Sequence, residues 1–161
     1  MDTKVDRIGT AIEGLYTVPL RKIEGPKGAV LHILRANAPH FEKFGEVYVS
    51  ITNPGEVKGW KFHKEISQNF AVPVGIMKFV FFDDREGSPT KGQAVVLEAS
   101  RENYHLIHVP PEIWYAFSAV SEEPGYIVNC ASHWHTEGES IAIPLADAII
   151  PKAVRDLIES H

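Results

Sequence analysis

Cysteine is almost missing from this 161-residue chain: Cys130 stands alone, so no internal disulfide can form and no thiol cluster can hold zinc. Set between apolar neighbours in "YIVNCAS", it reads as a buried, inert thiol rather than a nucleophile. Long apolar runs are absent too. No stretch approaches the roughly 18 apolar residues that a membrane-spanning helix needs, which leaves no membrane partner. Positive charge is in deficit, with 16 Lys and Arg against 21 Asp and Glu for a net charge of -5. That balance supplies no basic stripe for nucleic acid, so an anionic ligand has to be held by a local cluster such as Lys58, Lys61 and Lys64 around His63. The first residues, "MDTKVDRIGTAIEGL", lack the apolar core of a secretory leader, and the expected location is the cytoplasm. Repeats and low-complexity segments are lacking as well.

What remains is of single-domain size and ordinary composition, 44% hydrophobic and 23% charged, and the expectation is one domain over residues 1–161. Turn-forming stretches ("EGPKG", "NPGE", "DDREGSPTKG", "VPPE", "SEEPG") separate short runs rich in Val, Ile, Phe and Tyr. The runs "EVYVSIT", "NFAVPVGIMKFVFF", "QAVVLEAS", "YHLIHV" and "GYIVNCASHW" predict strands of an all-β sandwich, jelly roll or barrel. The tail "PKAVRDLIES" predicts one short helix with Pro151 at its first position and Ala153, Val154, Leu157 and Ile158 on one face. "HFEKF" is a candidate for a further helical turn.

One stretch carries chemistry. Gly55 leads through five residues to Lys61-Phe62-His63, then through four to Gln68 and six to Gly75, a spacing that resembles the first metal-binding motif of the cupins. A second cupin motif would place a histidine where "PPEIWY" has Tyr115. Of the four ligand positions only His63 keeps a ligand, and an ammonium has no lone pair for a metal, so no metal and no cofactor are expected. A weaker metal reading takes His133 and His135 of "SHWHTEGE" as neighbours on one side of a strand.

Side chains alternate along a strand, so Lys61 and His63 share one face and Trp60 and Phe62 the other. A neutral imidazole in a closed cavity can accept a proton, and an ammonium beside it can hold a phosphate or stabilise an enolate. Lys61 can equally pair with an acid, and His63 can make a buried hydrogen bond. Tyr115 either donates a proton or packs with its hydroxyl satisfied.

The segments "FGEVYVSITNPGEVKGWKFHKE", "DDREGSPTKGQAVVLEASREN" and "LIHVPPEIWYAF" together resemble the dTDP-4-dehydrorhamnose 3,5-epimerase family, whose members are metal-free cupins. The resemblance implies a double-stranded β-helix, or jelly roll, and an enzyme that takes a proton from the carbon beside a ketone of a nucleotide-linked 4-keto-6-deoxyhexose, in deoxysugar or surface-polysaccharide synthesis. The family's catalytic histidine falls on Lys61 in a gapless match, and a shift of one or two residues brings His63 to it. His63 is the preferred base, Lys61 the stabilising cation, and Tyr115 or Tyr126 the proton donor. Lys58 takes the place of a phosphate-binding arginine and Asn69 that of a lysine. Glu46 and Tyr48 would flank the nucleotide, with Asn129 and His133 completing the substrate-binding set. Asp147 is a candidate for the carboxylate that orients the histidine. A homodimer is also implied, with Lys27 reaching the partner's site. The rival reading is a non-catalytic cupin that binds a sugar or nucleotide sugar.

Overall fold

Alternating β-branched and aromatic residues between Gly and Pro turns favour paired strands, and the chain is built almost wholly of them. The structure, a computed structural model, describes residues 7–160; residues 1–6 and 161 of the expected 1–161 domain lie outside the described residues. In chain order the elements are β1 (Ile8–Gly9), β2 (Tyr16–Pro19), β3 (Lys22–Gly25), β4 (Gly28–Leu31), β5 (Glu46–Thr52), β6 (Val57–His63) and β7 (Gln68–Val74). They continue with β8 (Ile76–Asp83), β9 (Ala94–Ser100), β10 (His105–Val109), β11 (Ile113–Ala119), β12 (Gly125–Ala131), β13 (Ser140–Ala142) and α1 (Lys152–Glu159).

Two antiparallel sheets form the jelly roll, ordered β1-β2-β10-β7-β12-β5 and β13-β6-β11-β8-β9, and β3 and β4 make a separate exposed hairpin. The all-β cupin fold with a short terminal helix is the one the sequence predicts. Between the sheets lies a layer of aromatic rings, Phe70, Phe79, Phe81, Tyr115 and Phe117. On the outer face of the second sheet Trp60, Val80, Phe82, Trp114 and Ala116 pack against Ile150, Val154 and Ile158, which is what holds α1 in place. Pro151 is the residue that caps this helix rather than its first turn; Val154 and Ile158 are buried, while Ala153 is exposed and Leu157 half-buried.

The run from Asn69 to Phe82 is not one strand. It breaks at Gly75, where φ is +75° and an added Cβ would stand 2.7 Å from the Cα of Gly125, so the chain passes here from one sheet to the other. "HFEKF" forms no helical turn; residues 41–45 run without regular structure. At the end of β8, Asp83 is fully buried and accepts hydrogen bonds from Arg85 Nε (2.9 Å), Arg85 Nη2 (2.9 Å), Ser88 Oγ (2.7 Å), Thr90 Oγ1 (2.7 Å) and the Arg85 backbone N–H (3.0 Å). "DDREGSPT" is thus a hydrogen-bonded knot, tied also to the Glu13 backbone through Arg85 and Thr90. β5 ends one sheet and β13 the other, and the interior is open between them.

Candidate active site

The inward face of β6 lines that opening. Lys61 pairs with Tyr115 of β11, and Tyr115 belongs to the aromatic layer between the sheets, so Lys61 and His63 both point inward. A register shift between Tyr115 and Ala116 then sets Lys58 opposite Phe117, turning Lys58 inward as well, against simple alternation. Gly59 makes the irregularity feasible: its φ is +139°, and a Cβ there would lie 2.5 Å from the Cβ of Ala116. The Lys58 ammonium crosses to the other sheet and donates to the Ile51 carbonyl.

Across the opening, β12 and β5 are paired so that Asn129 faces Tyr48 and Ala131 faces Glu46. The resulting cleft, of about 260 Å³, is bounded by Glu46 and Tyr48 on one side and by Lys61, His63 and Ser140 on the other, with Gln68 at its base and His135 at its mouth. Lys61 has no hydrogen-bond or ion-pair partner among the described residues, which leaves its ammonium available to a ligand.

His63 sits in a continuous hydrogen-bonded chain. Its Nδ1 lies 2.7 Å from Glu139 Oε2. The other oxygen of Glu139 accepts the backbone N–H groups of Glu65 and Ile66, each at 3.1 Å. Burial works against ionisation of Glu139, but the hydrogen bonds from His63 and from these two amides outweigh it and hold its carboxyl below the usual range. An ionised carboxylate only accepts, so the proton between Glu139 and His63 resides on Nδ1 and Nε2 carries the lone pair.

Nε2 lies 3.2 Å from the Tyr115 hydroxyl, which is also 3.2 Å from Gln68 Oε1. The phenol has one proton and two acceptors. Donated to Gln68, it leaves the imidazole lone pair free; once Nε2 is protonated, its N–H can donate back to the phenol oxygen. Burial, only partly opposed by the Gln68 contact, pushes the Tyr115 pKa far up, so the phenol stays neutral beside His63 Nε2. Gln68 Oε1 accepts from Asn129 Nδ2 at 2.8 Å, and the same amide donates to the Tyr48 hydroxyl at 2.9 Å. Gln68 and Asn129 are each 2% exposed, so this polar floor is buried. It ties His63 on one sheet to a phenol on the other.

Several residues expected at the site lie elsewhere. Tyr126 faces the opposite side of β12 from Asn129, beside Ile51, because β12 alternates. Asn69 likewise lies on the outer face of β7, with its amide on the Cys130 carbonyl (3.3 Å) and its oxygen on His108 Nδ1 (2.9 Å). His133 and His135 do not share a strand, since β12 ends at Ala131; His133 Nδ1 donates to the Trp134 carbonyl at 2.7 Å and only His135 reaches the cleft. Lys27 is in the exposed turn between β3 and β4, outside this chain's own cleft. Asp147 accepts from the Ile149 N–H before α1, and Glu139 is the carboxylate on the histidine. Glu139 lies 76 residues from His63, and no local pattern in "HTEGES" announces the contact. Cys130 is half-buried on the outer face of β12, where burial pushes its thiol pKa up. Among the described residues no three His, Cys, Asp or Glu side chains are grouped to hold a metal.

A jelly roll whose polar cleft holds a carboxylate-oriented histidine and a free ammonium is a cupin of the nucleotide-sugar epimerase and isomerase class. The particular family follows from comparison: the model for dTDP-4-dehydrorhamnose 3,5-epimerase matches residues 9–152, and the chain belongs to that family. Among solved structures, a dTDP sugar isomerase from Desulfovibrio desulfuricans G20 is 40% identical with a TM-score of 0.88, covering 91% of this chain and 94% of that one. A probable low-salt glycan biosynthesis epimerase of Haloferax volcanii is 31% identical over 105 residues, 64% of this chain and 67% of the relative. A spore coat polysaccharide biosynthesis protein of Bacillus subtilis is 26% identical over 117 residues, 73% of this chain and 78% of the relative. No helix among the described residues is long and apolar enough to cross a membrane.

Proposed function

We propose that this chain epimerises or isomerises a dTDP-type 4-keto-6-deoxyhexose in deoxysugar or surface-polysaccharide synthesis, working in the cytoplasm as a single cupin domain. The observation that carries the reading is the Glu139–His63 pair opening onto a cleft with an uncommitted ammonium. At about 260 Å³ the cleft is smaller than the ~300–1,000 Å³ that encloses a whole ligand, so it takes the sugar while the nucleotide lies along the open groove beside Glu46. His63 Nε2 removes the proton from the carbon next to the ketone. The electron pair moves toward the ketone oxygen, and Lys61 stabilises the enolate charge that develops there.

Epimerisation requires a proton from the other face of the ring. Tyr126 points away, and Tyr115 touches Nε2 of the base from the same sheet, so neither is placed for a step at the opposite face. Tyr48 is, because it stands on the opposite sheet with its hydroxyl oxygen already accepting from Asn129 and its own proton free to point into the cleft. Burial chiefly raises the pKa of Tyr48, which keeps that proton in place at neutral pH.

In deuterated buffer, wild type is expected to exchange the proton beside the ketone of dTDP-4-keto-6-deoxyglucose and to release epimerised product. Tyr48→Phe should keep the exchange, because His63 can return a proton to the same face, while product formation falls by about 10²-fold or more. Equal loss of both in Tyr48→Phe would remove Tyr48 from the role of acid. Binding without exchange for every nucleotide sugar tried would leave the non-catalytic binding cupin as the better reading.

Two features support a homodimer. Val47, Val49 and Ile51 on the outer face of β5 and Val74 of β7 are each about half exposed, forming an apolar surface. The β3–β4 hairpin, with Ile23 and Val30 also exposed, packs little against its own chain. Val49→Glu should therefore lower the mass found by light scattering from two chains to one; an unchanged mass would mean that this face is not the contact.

A further inference from the structure

A second pocket, of about 180 Å³, lies on the far side of the first sheet, where residues 32–40 fold back over β2. Its deep members are Val18 and His40, 1% and 5% exposed, and its half-buried walls are Leu20, His32, Ile33 and Ala38. Arg21 and Arg35 stand exposed at the rim. No carboxylate lines it, and neither arginine has an ion-pair partner among the described residues. In a chain of net charge -5 an unneutralised group of two guanidiniums and two imidazoles is an unusual local concentration of donors.

His40 adds a second and independent indication. Both of its ring nitrogens are buried and neither has a hydrogen-bond partner among the described residues. Buried polar atoms are nearly always satisfied, and an imidazole left without a partner at the base of a pocket marks a place where an acceptor belongs. The surroundings make that acceptor an anion. Arg7 lies near enough to His40 to add to burial in lowering its pKa, and His108 lies close behind. Glu42, two residues on from His40, is turned to His108 at 3.8 Å and to the Ser67 hydroxyl, and does not line the pocket.

We propose that this pocket is a second ligand site, distinct from the cleft, that holds the phosphoryl group of a small phosphate ester between Arg21, Arg35 and His40. Two planar guanidiniums can each offer a pair of N–H groups to phosphoryl oxygens, which a carboxylate with two oxygens would not saturate. The apolar wall of Val18, Leu20 and Ile33 receives the carbon body. A pocket of this volume excludes a whole nucleotide sugar and admits a body of about one sugar ring.

The test uses the full chain, with dTDP added in excess to fill the cleft, and follows the His40 ring resonances by NMR during titration with glucose 1-phosphate and with inorganic phosphate. A saturable His40 shift with glucose 1-phosphate is expected, with weaker binding of inorganic phosphate. Arg21→Gln and Arg35→Gln, both at exposed positions and so compatible with folding, should each weaken binding about tenfold or more. No saturable shift with either probe, or a shift that both arginine variants leave unchanged, would overturn the proposal. The readout is binding rather than turnover, so it stands or falls separately from the catalytic reading.

Discussion

Glu139→Gln should abolish turnover almost as completely as His63→Asn, with kcat lowered by roughly 10²–10⁴ in each, although the two side chains in the first variant have the same shape. The reason lies in what surrounds Glu139. Its Oε1 accepts two backbone N–H groups, from Glu65 and Ile66, and these can be satisfied only by an oxygen. A glutamine must therefore point its carbonyl at the amides and its NH2 at His63 Nδ1. A donor facing Nδ1 forces the imidazole to carry its proton on Nε2, and the lone pair that should meet the substrate is gone. The fold should be almost unaffected, since both amides keep their acceptor. Solvent-deuterium exchange into the substrate, thermal melting and the imidazole tautomer by 15N NMR together check this. Full exchange in Glu139→Gln would show that Glu139 only packs beside the histidine.

The largest expected change in stability comes from a residue remote from the chemistry. Asp83→Asn should destabilise the protein by about 3–5 kcal/mol, as when one member of a buried ion pair is removed. Asp83 is fully buried, and the amide replaces an acceptor of five hydrogen bonds with a group whose NH2 faces donors. In wild type, burial opposes ionisation of this carboxyl, yet the hydrogen bonds from Arg85, Thr90 and Ser88 outweigh it and hold its pKa well below the usual range. A carboxyl depressed in the folded state contributes stability that is fully present above its unfolded pKa of about 4 and is lost as pH falls below it. Urea unfolding at pH 7 and at stepwise lower pH should show wild type losing this contribution below about pH 4, while Asp83→Asn lacks it throughout. A variant as stable as wild type at pH 7 would mean that Arg85, Ser88 and Thr90 find other acceptors.

The two residues behind these expectations differ in how far the sequence reveals them. "DDREGSPT" is a local knot, with every hydrogen-bond partner of the Asp83 carboxylate within seven residues, and its Asp, Arg, Ser and Thr can be seen together in one line of sequence. Glu139 acts on a strand 76 residues away, and only the pairing of β13 with β6 brings it to His63. Lys58 shows a third case. Alternation counted from Lys61 does not turn it inward, and the register shift beside Gly59 does. In β5 the pattern itself misleads: Val47, Val49 and Ile51 form the apolar set that usually meets a core, yet they face outward while Glu46, Tyr48 and Ser50 face in. A polar cleft needs the polar face inside, and the apolar face is then left for another surface.

By itself the sequence determined an all-β fold of short strands, the terminal helix, the shared face of Lys61 and His63, and the glycine-framed segment that holds them. Those depend on turn chemistry and on the two-residue period of a strand, which are local; the choice of a jelly roll over a sandwich or barrel came from the family resemblance. Tertiary structure alone decided that Glu139 meets His63, that Tyr48 rather than Tyr126 stands across the cleft from it, that Asn69 and His133 lie outside the cleft, and that His40 has no partner among the described residues. Each of these is set by which strands pair and in what register, and the energy of that choice is spread over the whole sandwich rather than written in any one stretch.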